Sequence, residues 1–149
     1  MENYWKKLIY QKKMAETIVD NGINNQISEV YGCEAVLYYD GNLKFAGTAD
    51  AVINSSDNEI KILDFKQSNK PKKREYSVIN EYGLQLALYS IAHDNMFGTK
   101  IKSTEILMCT PNLIFQKFEF KDQEFEKLKK EAMNRVEQYY NLKRENLES

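Results

Sequence analysis

Phe45-Ala-Gly-Thr-Ala-Asp50-Ala-Val-Ile53 and Glu59-Ile-Lys-Ile-Leu-Asp64-Phe-Lys66 decide how this chain folds. Both stretches have the apolar and β-branched content of strands, and the polar run Asn54 to Asn58 between them has the composition of a turn. Side chains alternate faces along a strand, so Asp64 and Lys66 project from the same side. The neighbouring strand brings Asp50 alongside. Two carboxylates on adjacent strands repel unless a cation neutralises them, and hard oxygen ligands of this kind suit Mg²⁺ or Mn²⁺. With an ammonium beside them, these are parts suited to metal-assisted phosphodiester hydrolysis. An Asp-x-Lys triplet alone arises by chance, and a solvent-facing strand can carry alternating charges for solubility. The Gly-x-x-Asp strand before it and the helix after it give the triplet its weight.

Outward from that pair, Glu34 to Tyr39 reads as a third strand, joined to Phe45 through the hairpin signal Asp40-Gly41-Asn42. Upstream, Trp5, Leu8, Ile9, Ala15, Ile18 and Val19 recur at helical spacing, and Asp20-Asn21-Gly22 ends that segment. Downstream, a basic loop around Pro71 leads to Asn80, which predicts the N-cap of a helix running to about Met96. Leu84, Leu88 and Ile91 would form its buried stripe, and Gly98 would stop it. Ser103 to Cys109 and Leu113 to Phe120 read as two strands turning at Pro111-Asn112. A last helix carries Phe125, Leu128, Ala132, Val136 and Tyr139 on one face. The order α-β-β-β-α-β-β-α predicts an α/β fold, a mixed central β-sheet flanked by helices.

A chain of 149 residues, 42% apolar and 12% aromatic, can bury one core and is not disordered. No apolar run approaches the roughly 20 residues of a membrane span, and no signal-peptide pattern opens the sequence, so a cytoplasmic protein with no membrane partner is expected. Cys33 and Cys109 lack metal-ligand spacing and lie in apolar strands, where reduced core cysteines are expected. The net charge of −1 does not announce a nucleic-acid binder. Its distribution says more: Lys66, Lys70, Lys72, Lys73 and Arg74 crowd after the second carboxylate. A basic patch beside a metal site favours a phosphate backbone, although any one of these residues can also be an ordinary solvated lysine or arginine.

Cleaving a phosphodiester at neutral pH needs a nucleophilic water, charge stabilisation at phosphorus and help for the leaving oxygen, and a divalent ion serves all three. Asp50 and Asp64 are the candidate ligands, with the backbone carbonyl of Phe65 as a further oxygen. Lys66 would orient the water or counter developing negative charge. Glu34 is a candidate additional metal contact or an ordinary strand-edge glutamate. Gly47, lacking a side chain, allows a close approach. Gln85, Tyr89 and His93 stand four apart on one helix face, which either looks onto the site or is the polar side of an amphipathic helix.

Together Gly47-Thr-Ala-Asp50, Asp64-Phe-Lys66 and Gln85-x-x-x-Tyr89 resemble the PD-(D/E)XK nuclease superfamily, in its RecB-like and phage exonuclease branch. The stretch Asp64 to Glu75, and Ala92-His93 followed by Phe97-Gly98-Thr99, are similar to phage members. The likeness runs from about Lys12 to Tyr140. It implies a restriction-endonuclease-like fold in a single domain, 1–149, shortened at its N-terminus. It also implies Mg²⁺-dependent DNA hydrolysis with Asp50, Asp64 and Lys66 as catalytic residues. Gln85 and Tyr89 become the accessory helix motif, Glu34 an acidic position seen in phage relatives, and Lys70, Lys72, Lys73 and Arg74 DNA contacts. Relatives carry a histidine or acid on the helix upstream, where this chain offers Glu2 or Glu16. The implied setting is a phage-encoded exonuclease in the host cytoplasm, acting in DNA recombination, repair or degradation with a recombination or replication partner. A catalytically impaired DNA-binding module of the same fold is the alternative.

Overall fold

The computed structural model describes residues 2–75 and 78–148, with side chains from Lys6 onward. Helix α1 (Glu2–Ile18) runs into one π-helical turn (Val19–Ile23) and then into β1 (Ile27–Tyr39), β2 (Phe45–Ser55) and β3 (Ile60–Gln67). A second π-helical turn (Val78–Gly83) opens α2 (Leu84–Phe97), followed by β4 (Ser103–Cys109), β5 (Phe115–Lys121) and α3 (Asp122–Glu148). The strands form one sheet in the order β1-β2-β3-β4-β5. Only β3 and β4 pair in parallel, and α2 is the crossover that such a pairing requires. The expected α/β order is the observed one.

Both faces of the sheet are covered at its centre. Leu37, Val52, Ile62, Ile106 and Phe120 pack under Leu86 and Ala87 of α2, with Leu128 and Ala132 of α3 closing the layer. On the other face Met14 and Ile18 of α1 meet Ile53, Leu63, Leu107 and Cys109. Every residue of β4 is buried as a result. Each fully buried Leu or Ile there stabilises the fold by roughly 1.5–3 kcal/mol, which holds the carboxyl ends of β2 and β3 against rigid neighbours.

Several local expectations need correction. β1 begins well before Glu34, because Ile27 to Gly32 extends the ladder along β2. Asn80 is not an N-cap: it lies inside the π-helical turn, and α2 starts without a side-chain cap. The buried positions of α2 are Leu84, Leu86, Ala87, Ser90, Ala92 and His93, whereas Leu88 and Ile91 are only half-buried, since α2 is covered by the sheet on one side and α3 on the other. Gly98 does end the helix, in the left-handed conformation at φ 65°. Cys109 is buried as expected, but Cys33 is exposed on edge strand β1. The side chains of Trp5 and Glu2 lie outside the described residues. No described helix is long and apolar enough to cross a membrane.

Candidate active site

β2 and β3 pair from Asn54↔Ile60 to Ala51↔Leu63 and then part. One step further Asp50 would face Asp64. Instead of a backbone rung, the Phe65 N–H donates to Asp50 Oδ2 at 2.8 Å, so the carboxylate fills the place of a strand partner. The alternation of β2 breaks at the same point. Ala49 and Val52 both enter the α2-side core, while Ala51 and Ile53 face α1. On β1, Cys33↔Ala51 and Ala35↔Ala49 flank Glu34, which therefore lies across from Asp50 with φ at 49°. A left-handed glutamate inside a strand is strained, and such strain concentrates where a fold builds a site.

Asp64 is 5% exposed. Burial first, then the neighbouring Asp50 carboxylate, push its pKa up to about 6, against the pull of Lys66. Lys66 Nζ stands 3.0 Å from Asp64 Oδ2, an ion pair by distance. It does not approach along a hydrogen-bonding direction, and that buried oxygen has no directed donor. For Lys66 itself, burial alone would favour the neutral amine. The hydrogen bond and charge of Asp64, with Tyr82 and Asp50, outweigh it and hold the pKa above the ordinary lysine value. The side chain is thus an ammonium at neutral pH, a source of positive charge rather than a base.

α2 closes the site from above. Gln85 Nε2 donates to the Tyr89 hydroxyl at 2.9 Å. Burial, followed by the charge of Asp64, raises the Tyr89 pKa, so its proton is retained. A Cβ on Gly47 would sit 2.4 Å from Cε1 of Tyr89, and only glycine lets the ring lie on β2 there. Tyr82, which sequence reasoning missed, holds both cations together. Lys66 Nζ lies 5.1 Å and Lys72 Nζ 5.5 Å from its ring centre, within cation–π range, and Lys72 Nζ is 3.5 Å from its hydroxyl. The spacing Tyr82, Gln85, Tyr89 was the available signal, three and then four residues apart on one helical side.

The basic loop divides. Gln116 of β5, also missed, clasps the Lys72 backbone through both ends of its amide, accepting at 2.8 Å and donating at 2.7 Å. Lys70 and Lys73 are exposed. Arg74 turns the other way: its guanidinium pairs with the Glu124 carboxylate, donates to the Glu119 carbonyl at 2.7 Å and lies 5.2 Å from the Phe120 ring centre. Arg74 anchors the loop to α3 and presents less of its charge to solvent. His93 is not brought to the site. It is buried at the far end of α2, bonded to Thr99 at 2.8 Å, with its pKa lowered chiefly by burial. Glu16 is exposed on α1 and pairs with Lys12.

Two close carboxylates, one with a buried oxygen lacking a directed donor, are a donor set that fits a hard divalent cation. Among the described residues no three His, Cys, Asp or Glu side chains converge. The residues that would hold the ion are Asp50, Asp64 and the Phe65 carbonyl. Water would complete the shell, as suits Mg²⁺, which dehydrates reluctantly.

A family model described as the PD-(D/E)XK nuclease superfamily matches residues 3–148. No curated protein matches the sequence. Among solved structures, a candidate exonuclease from Eubacterium rectale superposes with a TM-score of 0.62 at 16% identity, over 88% of this chain and 52% of that one. A protein designated SSO0001 gives 0.49 at 14% identity, over 89% of this chain and 59% of that one. An alkaline exonuclease from Laribacter hongkongensis gives 0.43 at 13% identity, over 95% and 72%. At such identities the first of these shows likeness of fold, and the other two carry no argument. The chain spans little more than half the length of the first two.

Proposed function

The chain belongs to the PD-(D/E)XK nuclease superfamily, and within it we propose a metal-dependent DNA exonuclease that hydrolyses phosphodiester bonds. One observation carries the proposal: Asp50 and Asp64 meet where β2 and β3 part, with the Lys66 ammonium 3.0 Å from Asp64. The likeness to exonucleases and the motif resemblance favour DNA as substrate and a role in recombination, repair or degradation, phage-encoded and in a host cytoplasm.

Bound Mg²⁺ or Mn²⁺ would supply Lewis-acid charge neutralisation and a more acidic water. The chain's own groups do the rest. Asp50 and Asp64 present oxygens, Asp50 being oriented by the Phe65 N–H. Lys66 places positive charge beside the phosphoryl oxygens as negative charge develops. Tyr82 fixes that ammonium from behind. Tyr89 accepts from Gln85, which leaves its own proton for another acceptor at the site. Lys70, Lys72 and Lys73 contact backbone phosphates, which positions the strand without reading its sequence.

The test is loss of end-labelled linear DNA in Mg²⁺ or Mn²⁺ by wild type, Asp64→Asn and Lys66→Ala. Wild-type cleavage abolished in both variants supports the assignment, and activity persisting in either removes it. The lack of a third converging acid among the described residues favours one rival, a catalytically impaired DNA-binding module. That rival predicts DNA retention without cleavage in either metal.

A further inference from the structure

A cleft of about 530 Å³ opens between the outer side of α2, the C-terminal half of α3 and the start of β2. Leu84, Ala132 and Val136 contribute its apolar floor, and its size is that of a small-ligand site. Tyr139 stands at its mouth, 58% exposed, with its ring edge-on to Tyr140 at 5.5 Å. The Tyr140 hydroxyl donates to the Lys44 carbonyl, which ties α3 to the β1–β2 hairpin and steadies the aromatic pair. Lys44 lines the same cleft and is exposed. An apolar floor, a fixed aromatic face and an ammonium are the parts that hold a nucleobase and its phosphate.

The cleft is continuous with the proposed active site. Gln85 belongs to both, lining the cleft while donating to Tyr89 over the carboxylates. One helical turn, about 5.4 Å, parts Gln85 from Tyr89, roughly the reach of a single nucleotide step. Arg135, also lining the cleft, bonds Glu131 at 3.1 Å, so that pair adds little net charge. A base within a duplex is stacked and paired and cannot enter such a cleft.

We propose that the cleft receives an unpaired nucleobase next to the scissile phosphate, which makes single-stranded DNA, or a frayed duplex end, the substrate class. This rests on the exonuclease reading above and narrows it.

The experiment uses the full chain with a single-stranded oligonucleotide carrying 2-aminopurine near its end, in Ca²⁺ without Mg²⁺, and the matching duplex. Wild type is expected to quench the fluorophore and to bind the single strand about tenfold more tightly than the duplex. Tyr139→Ala should lose the quenching and weaken single-strand binding about tenfold, while Tyr139→Phe, which keeps the ring, restores both. Equal binding of duplex and single strand, or undiminished quenching in Tyr139→Ala, overturns the inference. Wild-type hydrolysis of bis(p-nitrophenyl) phosphate in Mn²⁺, followed in parallel, separates the two readings. Hydrolysis without quenching sinks the cleft and leaves the nuclease. Quenching without hydrolysis leaves the cleft and sinks the nuclease. Neither sinks both.

Discussion

Asp64 and Glu105 lie on adjacent parallel strands, both buried, and their surroundings differ in a way that separates a site from a scaffold. Glu105 is 0% exposed, yet Lys61 reaches it at 3.3 Å, Lys117 at 3.8 Å and the Gln26 amide at 2.8 Å. Its charge is answered by the protein. Asp64 has one cation off the hydrogen-bonding direction and a second carboxylate beside it, so its pKa rises to about 6. Its charge is left for something else to answer. The two lie on opposite faces of the sheet, since Leu63 and Glu105 share the α1 side while Asp64 points toward α2. A complete network fixes structure, and an incomplete one beside Lys66 is poised for a cation and a phosphate.

Substituting each carboxylate should therefore have opposite consequences. The largest effect expected is on cleavage: Asp64→Asn lowers the rate at least about a thousandfold in Mg²⁺ or Mn²⁺, and Lys66→Ala about a hundredfold or more. The next largest is on stability. Glu105→Ala strands Lys61, whose side chain is only 13% exposed, and should cost about 3 kcal/mol in denaturant unfolding. Asp64→Asn should instead stabilise the metal-free fold at pH 7.5, by roughly 1–3 kcal/mol, because it removes a charge the fold holds at a cost. A destabilised Asp64→Asn with an indifferent Glu105→Ala would invert the comparison and end it.

The pH dependence sharpens the same contrast. Asp64 has its folded pKa raised, to about 6 from 3.8. Folding then takes up protons between those values. The stability this group contributes is fully present below about pH 4 and is lost as pH rises through about 6. In EDTA, the gap between Asp64→Asn and wild type should be close to zero near pH 4 and reach its full size above pH 7. Metal acts in reverse: Mn²⁺ needs the ionised carboxylates, so its thermal stabilisation of wild type should fade as pH drops below about 6. A gap that stays constant from pH 4 to 8 would show that Asp64 carries no such shift.

How much of this the sequence disclosed follows the range of the interactions. Asp64 and Lys66 on one side, or Gln85 and Tyr89 on one turn, depend only on strand and helix periods, and both are legible within a few residues. The break in β2 that puts Ala49 and Val52 on one side is not, because it arises from pairing with the left-handed Glu34 across the sheet. Strict alternation would misplace Asp50. Gln116 and Glu124 reach back 44 and 50 positions to Lys72 and Arg74, a distance no local pattern encodes. Cys33 looks buried by composition and is exposed because edge strand β1 has a partner on one side only.

The smallest effect tests that division of the basic loop. Lys73 is exposed, whereas Arg74 is committed to Glu124, Glu119 and Phe120. A lysine that contacts a DNA phosphate releases a counterion, so losing it flattens the salt dependence of binding by about one unit of slope. Lys73→Ala should show that change with unaltered thermal stability. Arg74→Ala should leave the slope nearly intact and instead cost up to about 1 kcal/mol of stability, the range of a partly exposed ion pair with ring packing. Binding isotherms from about 50 to 200 mM salt, paired with unfolding midpoints, separate the two. A slope that falls equally in both variants would mean that the Glu124 pairing yields to DNA, and that sequence adjacency, not the fold, decides which cations meet the phosphate.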